Sequence, residues 1–581
     1  MTNFRVVSVA GEEITQSLFG GNFLFTRDKL GDAGTFDELS DTLGTENLRY
    51  PGGSITERLF DISNPDRTSA YDYKKDDVVD TLPLSEFFDF AEQFDKSVTI
   101  VLPTRLSLSD DADANGDRYA DFDEDLLSKF VQDVVSGIYG NVEIDAFEIG
   151  NEYWGAGEMT TVEYGRLSSR MTEVINDSLD KISLSHPEAK DVDIVVQMGT
   201  NFKYASLDEE YENLPTSDEV LDQLSDDYKM VFDETALFSS GEINWTKVAN
   251  FQILNEFDSV SEIEGLDAVA GHVYSRELAV PGSRNFVLDT IDATWLEKYP
   301  ELKTYVTEWN QKGGTEALGE GDYGLKQAHE ILNILEEFSE HGVDVAHVWP
   351  LSQNTPNALS RGFEFDELSP AGEMFKMTEE ELPGTTALKF SGSESSQTEV
   401  SSNGIDVHAF ASTDKLVFYL ASTNDSPSST VLDVQQLFSS ATSVSAKYLG
   451  VQDGDNPGNI NVKATIDELS QGEIDSEFYI DGLLQVDLDP FEILQVVVEE
   501  PIWSGEMEGI LNTYMDDDCD VQDTNQDDSE DDGPLLTDYP AIEPEILCDE
   551  VNDEGEFEES DGPAGIEWLL ALLPLLALAG I

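Results

Sequence analysis

Between about residue 14 and residue 375 short apolar runs alternate with longer stretches whose apolar residues recur at intervals of three and four. The short runs have the length and composition of buried strands, and the stretches between them have the period of amphipathic helices. Strands are expected at Gln16–Phe25, Glu46–Tyr50, Ser97–Pro103, Ala146–Ile149, Val192–Met198, Leu266–Tyr274, Leu302–Thr307 and Val343–Trp349. Helices are expected between them at Pro83–Phe94, Glu124–Tyr139, Thr161–Leu184 and Tyr323–His341. Eight βα units over about 360 residues predict an α/β chain built on a (β/α)8 TIM barrel, residues 14–384, with insertions. The polar, acidic stretch 202–244 reads as an insertion after the fifth strand, placed to cover the barrel mouth.

From 385 to 500 the pattern changes to short alternating runs separated by turn signals, which predicts an antiparallel β-sandwich following the barrel. The run Phe4–Val9, within residues 1–13, precedes the barrel and is expected to supply a strand to that sandwich. Residues 501–561 read as an acidic, disordered linker, because the stretch has no basic residue and too few large apolar ones to offset its ordering entropy. Residues 562–581 form an apolar tail whose last 13 residues, 569–581, carry no polar side chain. That is short of the roughly 20 residues needed to span a bilayer, and no Lys or Arg after Lys463 flanks it. The tail is expected to contact either an export machinery or a membrane. Met1–Val7 lacks the basic and apolar regions of a standard signal peptide, so secretion or cell-surface display by another route is the expected location, with a cytoplasmic one left open.

Charge removes one class of partner. With 31 Lys plus Arg against 121 Asp plus Glu, the formal net charge is −90, which repels nucleic acid and suits a saline medium where short Debye lengths screen the self-repulsion. Both cysteines, Cys519 and Cys548, lie in the acidic C-terminal region, so the barrel has neither a disulfide nor thiol chemistry. Whether the two are bridged or free is open at this point.

Two glutamates stand out by context: Phe147-Glu148-Ile149-Gly150-Asn151-Glu152-Tyr153-Trp154 and Tyr305-Val306-Thr307-Glu308-Trp309-Asn310. In so acidic a chain a lone acid after an apolar run means little. Here Glu152 and Glu308 both follow predicted strands, the fourth and the seventh, at the end where barrel active sites are built. A pair of carboxyls about 5 to 5.5 Å apart is what glycosidic cleavage with retention needs, one as acid and then base, the other as nucleophile. Asp111-Ala112-Asp113-Ala114-Asn115-Gly116-Asp117 places oxygen ligands at alternate positions with glycine sixth, as in a calcium loop, although Phe122 stands where such a loop has its bidentate Glu. A structural calcium on Asp111, Asp113, Asn115 and Asp117 is the one cofactor these residues suggest, and a solvated acidic loop is the alternative.

Arg49-Tyr50-Pro51-Gly52-Gly53, Gly150-Asn151-Glu152, His272-Val273-Tyr274 and Glu308-Trp309-Asn310, in this order, resemble the strand-end motifs of clan A glycoside hydrolases. The likeness is to the family 51 α-L-arabinofuranosidases and the related families 39 and 79. It implies Glu152 as acid/base, Glu308 as nucleophile, Arg49 beside the nucleophile, and Asn151 bonding the sugar 2-hydroxyl. It further suggests Tyr274 as donor to Glu308, His272 as a sugar contact, and Trp154, Trp309 and Trp349 as stacking platforms. The chain departs from the arabinofuranosidase pattern at Ser54, where Asn is usual, and at Thr307, where an acid is common. The expected function is retaining, double-displacement hydrolysis of a plant or algal polysaccharide or oligosaccharide, with no cofactor required. The runner-up is a non-catalytic carbohydrate-binding or adhesive surface protein, and a calcium-dependent envelope protein stands third.

Overall fold

The computed structural model describes residues 5–276, 282–314, 318–391 and 396–517. Cys519, Cys548 and the tail at 562–581 lie outside the described residues, so the expectations attached to them gain nothing here. Among the described residues no helix is long and apolar enough to cross a membrane.

Eight parallel strands close into a barrel in sequence order: β1 (Gly20–Asn22), β2 (Asn47–Tyr50), β3 (Ser97–Leu102), β4 (Ile144–Ile149), β5 (Asp193–Gln197), β6 (Ala268–Ser275), β7 (Lys303–Gln311) and β8 (Val345–Val348). Each expected strand is present. The first is much shorter than its apolar run, because Gln16–Phe19 forms a 3₁₀ turn that buries Leu18 and Phe19 before the strand begins. The helices end where capping chemistry ends them. Asp123 caps Glu124–Val135 by accepting from the Leu126 amide. Thr160 and Glu163 form a reciprocal capping box at the head of Thr161–Ile182.

Strand alternation stacks the barrel interior in layers. Ala146, Val195, Ala268, Ala270 and Tyr305 pack together as an apolar floor. One step along their strands toward the carboxyl ends come Arg49, Glu148, Gln197 and Thr307, all buried. The outward positions, such as Phe147, Val306 and Trp309, pack against the helices.

β7 breaks the alternation once. Gly271 of β6 pairs with Val306 and His272 with Glu308, so Thr307 is an extra residue in the ladder. The β7 pairing with β8 slips at the same place, from Val306 opposite Ala346 to Trp309 opposite Val348. A bulge of this kind re-aims side chains, and here it turns both Thr307 and Glu308 into the barrel.

The strand Val6–Ile14 pairs antiparallel with Thr385–Ser391, at one edge of a nine-stranded sheet that continues through Ile405–Ala411, Lys415–Ser422, Ile493–Glu499 and Ser443–Val451. A three-stranded sheet of Ser428–Asp433, Leu483–Leu488 and Tyr479–Ile480 covers the same apolar core, which includes Leu388, Phe418, Leu432 and Val486. The barrel's helix Pro370–Glu381 meets this domain through the Met377 carbonyl, which accepts from Tyr419 Oη and Gln495 Nε2.

One segment differs from expectation, and a second has more structure than its composition signals. Residues 501–517 are structured: Ile502–Trp503 pairs with Phe438–Ser440, and the helix Gly505–Asp517 sets Met507 and Leu511 into the sandwich core. Met507, Ile510 and Leu511 stand three and four apart, so this acidic helix still has an apolar stripe. The insertion at 202–244 has a small core of its own, with Tyr211, Val220, Leu224 and Phe232 packed around the helix Ser217–Tyr228.

Candidate active site

Arg49 organises the barrel mouth. Its guanidinium is fully buried and donates in five directions: Nε to Glu148 Oε2 (2.6 Å), Nη2 to Glu148 Oε1 (3.0 Å), Nη2 to Asn151 Oδ1 (2.8 Å), Nη1 to Asn22 Oδ1 (3.0 Å) and Nη1 to Glu308 Oε1 (3.0 Å). Burial alone would lower its pKa, but Glu148 and Glu308 outweigh that and raise it, so the cation persists. The planar fork is suited to bridging two carboxylates at once. Glu148 lies inside the expected strand Ala146–Ile149, where the sequence alone assigns it no role. The available signal was its register on β4, where Ala146 faces the barrel interior and Glu148, two residues on, must do the same.

Glu148 also accepts from Gln197 Nε2 (3.1 Å) and Thr307 Oγ1 (3.0 Å). The departure at 307 therefore has a local reason: a hydroxyl donor, in place of an acid, faces a carboxylate already buried at that level.

Glu308 is held from two sides, by Arg49 at Oε1 and by Tyr274 Oη, which donates to Oε2 at 2.7 Å. Its carboxyl is raised above the usual range by burial, against the opposing pull of His272 and Arg49. His272 Nδ1 lies 3.4 Å from Glu152 Oε1 and 3.6 Å from Glu308 Oε2. Burial would lower the imidazole pKa, yet Glu308 and then Glu152 outweigh that and raise it. One oxygen of each glutamate and a ring nitrogen of His272 lie within 4.8 Å of one another.

The turn after β4 presents Glu152. Gly150 has φ +81° and Glu152 itself φ +46°, left-handed backbone that a non-glycine residue adopts only when its surroundings impose it. Glu57, also missed by the sequence reading, supplies that constraint. Its buried carboxylate accepts from the amides of Asn151 (2.8 Å), Thr104 (2.7 Å) and Arg105 (2.8 Å), tying the loops after β3 and β4 together. Nothing near Glu57 in the sequence marks it.

Asn151 Nδ2 and His272 Nε2 are buried with no hydrogen-bonding partner among the described residues. Trp349 directly follows β8 and lies against Gly52, where a Cβ would sit 3.2 Å from its ring. It is only 1% exposed. Trp309 is placed otherwise. Following the inward-turned Glu308 it faces outward, fully buried against Phe338 (5.3 Å, edge to face) and Phe375 (6.0 Å). It is a core residue, and the expectation of a sugar contact there is corrected. Trp154 packs edge to face on Tyr153 and His272.

The acidic loop lies on the hairpin Leu108–Ala112 and Arg118–Ala120. Asp113 accepts from the amides of Asn115, Gly116 and Asp117 through Oδ1, and from Arg166 Nη2 (2.6 Å) through Oδ2. Asp117 accepts from Thr160 Oγ1, and Asn115 donates to the Asp227 carbonyl. Arg166 thus engages one carboxylate of the expected calcium loop, and Asp111 is exposed on the strand before it.

No family model matches the sequence, and no curated protein matches it either. Among solved structures the chain is similar in fold to an α-L-arabinofuranosidase from Thermotoga maritima in complex with arabinose: 14% identity, 86% of this chain and 100% of that one, TM-score 0.55. A family 51 α-L-arabinofuranosidase from Thermotoga petrophila gives the same figures. A 4-O-α-L-rhamnosyl-β-D-glucuronidase from Fusarium oxysporum matches at 12% identity over 85% of this chain and 100% of that one, TM-score 0.51. At such identities the likeness is one of fold, a (β/α)8 barrel followed by a β-sandwich.

Proposed function

We propose that this chain is a retaining glycoside hydrolase in which Glu308 is the nucleophile and Glu152 the acid and then the base. The observation that carries the reading is the approach of the two carboxyls to within 4.8 Å at the carboxyl ends of β4 and β7. That separation fits a covalent intermediate; an inverting pair stands about 6.5–9.5 Å apart to admit a water between. Exposure supports the division of labour. Glu308 is 4% exposed, as suits a group that meets only the anomeric carbon, and Glu152 is 22% exposed, open to a leaving group and then to water.

In the first step Glu308 forms a bond to the anomeric carbon while Glu152 gives its proton to the departing glycosidic oxygen. In the second, Glu152 takes a proton from water, whose oxygen displaces Glu308. Arg49 and Tyr274 fix the attacking oxygens in place, which lowers the entropic cost of reaching the transition state. The donor at Asn151 Nδ2 suits a sugar 2-hydroxyl, a bond that strengthens as the oxocarbenium-like state forms. The substrate we propose is a plant or algal polysaccharide or its oligosaccharides, and a secreted or cell-surface location goes with a polymeric substrate. The arabinofuranosidase and glucuronidase names of the fold neighbours support the substrate class, while Ser54 and Thr307 set this chain apart from the arabinofuranosidase pattern.

The test is product release from a panel of aryl glycosides and polysaccharides by wild type and Glu308→Gln in parallel, with proton NMR of the first-formed anomer. Cleavage with retention by wild type alone is expected. Turnover by the variant, or an inverted product, overturns the assignment. Binding of sugars without cleavage would favour the carbohydrate-binding alternative.

A further inference from the structure

A second cluster lies away from the barrel mouth, where the helix Leu325–Glu340 meets the sandwich. His329 of that helix and His408 of the strand Ile405–Ala411 approach Nε2 to Nε2 at 3.0 Å, both rings buried. Glu399, on the strand Glu399–Ser402, is the direct cross-strand partner of His408, so both side chains leave the sheet on one face. Its Oε2 stands 4.0 Å from His408 Nε2, and it remains 43% exposed at the rim. The three ligand atoms lie within 4.8 Å of one another. Behind His408, Glu336 Oε1 faces Nδ1 at 2.9 Å.

We propose that His329, His408 and Glu399 form a binding site for a borderline divalent cation of the zinc class, with a water as fourth ligand. Two imidazole nitrogens each about 2.0–2.1 Å from one tetrahedral zinc stand roughly 3.3 Å apart, so the pair needs to open by only about 0.3 Å. Glu336 Oε1, 2.9 Å from Nδ1, stands where metal-bound histidines have the outer partner that fixes the tautomer, and a small rotation would complete that hydrogen bond. The nearby cation Arg284 is already engaged by Glu330 through bonds of 2.7 and 2.9 Å, which blunts its repulsion. The partly exposed Glu399 gives the ion a path from solvent. Bound there, the ion would tie a barrel helix to a sandwich strand. A bare hydrogen bond between the two rings would explain the 3.0 Å contact but would leave Glu399 without a part.

The test uses the full chain with its two cysteines alkylated, in high salt with excess Mg2+ to occupy weak carboxylate sites. Zn2+ is titrated by calorimetry, and Co2+ is added separately as a spectroscopic probe. One tight site per chain, intense tetrahedral Co2+ bands and a rise in Tm with Zn2+ are expected. Glu399→Gln should weaken binding more than about tenfold, Glu336→Gln by about 10–100-fold, and His329→Gln should abolish it. His272→Gln controls for the barrel mouth, whose His and two Glu are the other triad of suitable spacing among the described residues, and should leave the site intact. No site above the Mg2+-competed background, loss of binding in His272→Gln, or a Co2+ spectrum of octahedral, all-oxygen type would overturn the proposal. If His329→Gln does not fold, the Glu399→Gln affinity and the Co2+ spectrum decide.

Discussion

Replacing Arg49 by lysine keeps the charge and removes the fork. The guanidinium makes five hydrogen bonds to Glu148, Glu308, Asn22 and Asn151, and an ammonium has three donors from a single point. At least two buried, charge-assisted bonds must go. At about 1.5–3 kcal/mol each, the loss is about 3–6 kcal/mol, a large share of the stability of an ordinary domain. Glu148 is the residue most exposed to this loss, since it takes two of the five bonds with its side chain fully buried. If Glu308 also loses its anchor, a bond worth about 3 kcal/mol in the transition state corresponds to roughly a hundredfold in kcat/KM. Urea denaturation and steady-state kinetics on the best aryl glycoside would measure the two losses separately. A double-mutant cycle with Glu148→Gln should show strong coupling, because the single variants disrupt the same buried pair. A lysine variant within about 1 kcal/mol of wild type, or additive effects in the cycle, would refute the view that this fork holds the nucleophile.

Other outcomes follow from the same structure. Asp28, buried and accepting the Leu24 amide at 2.6 Å, has its pKa raised to about 7, chiefly by burial. Its native proton is held from the unfolded value near 3.9 up to about 7, so the associated stability is present at pH 4 and lost as pH rises through 7, about 4 kcal/mol in all. Asp28→Asn should therefore stabilise at pH 8 and not at pH 4 in paired urea titrations; an equal gain at both would contradict this. Thr307→Val should cost about 1–3 kcal/mol by removing one donor to Glu148, and Thr307→Asp should cost more in the same denaturation assay by setting a second carboxylate against it. Trp309→Ala should lose about 3–5 kcal/mol of stability with little change in KM. A large rise in KM at unchanged Tm would return Trp309 to the sugar site.

The parts of the architecture legible in the sequence are those that rest on period and punctuation. Strand runs and amphipathic stretches gave all eight barrel strands, and four strand-end motifs marked Arg49, Asn151, Glu152, His272, Tyr274 and Glu308, which the fold does bring to one mouth. What escaped depends on where a side chain points or on packing between distant segments. Trp309 was misplaced because adjacency to Glu308 was read as shared function, whereas the bulge at Thr307 turns Glu308 inward and leaves Trp309 on the helix side. Glu148 looked like chance acidity in a chain with 121 acids, and only its partner 99 positions away gives it meaning. Glu57 caps amides that no local pattern connects to it. The helix after 505 was hidden by its charge, which masks an apolar stripe of few residues.

The pairing of Val6–Ile14 with Thr385–Ser391 has a temporal side. The first strand of the large sheet leaves the ribosome about 370 residues before its partner, which at roughly 5–20 residues per second is a wait on the order of 20–75 s. Throughout that interval the whole barrel sequence is made while an unpaired edge waits outside it. Synthesis from the amino terminus therefore cannot complete the two domains one after the other, because the sandwich encloses the barrel in chain order. A circular permutant that carries the strand to the far side of residue 517 would remove the wait and should lower the fraction of chain that aggregates during synthesis. The strand links the birth of one domain to the completion of the other.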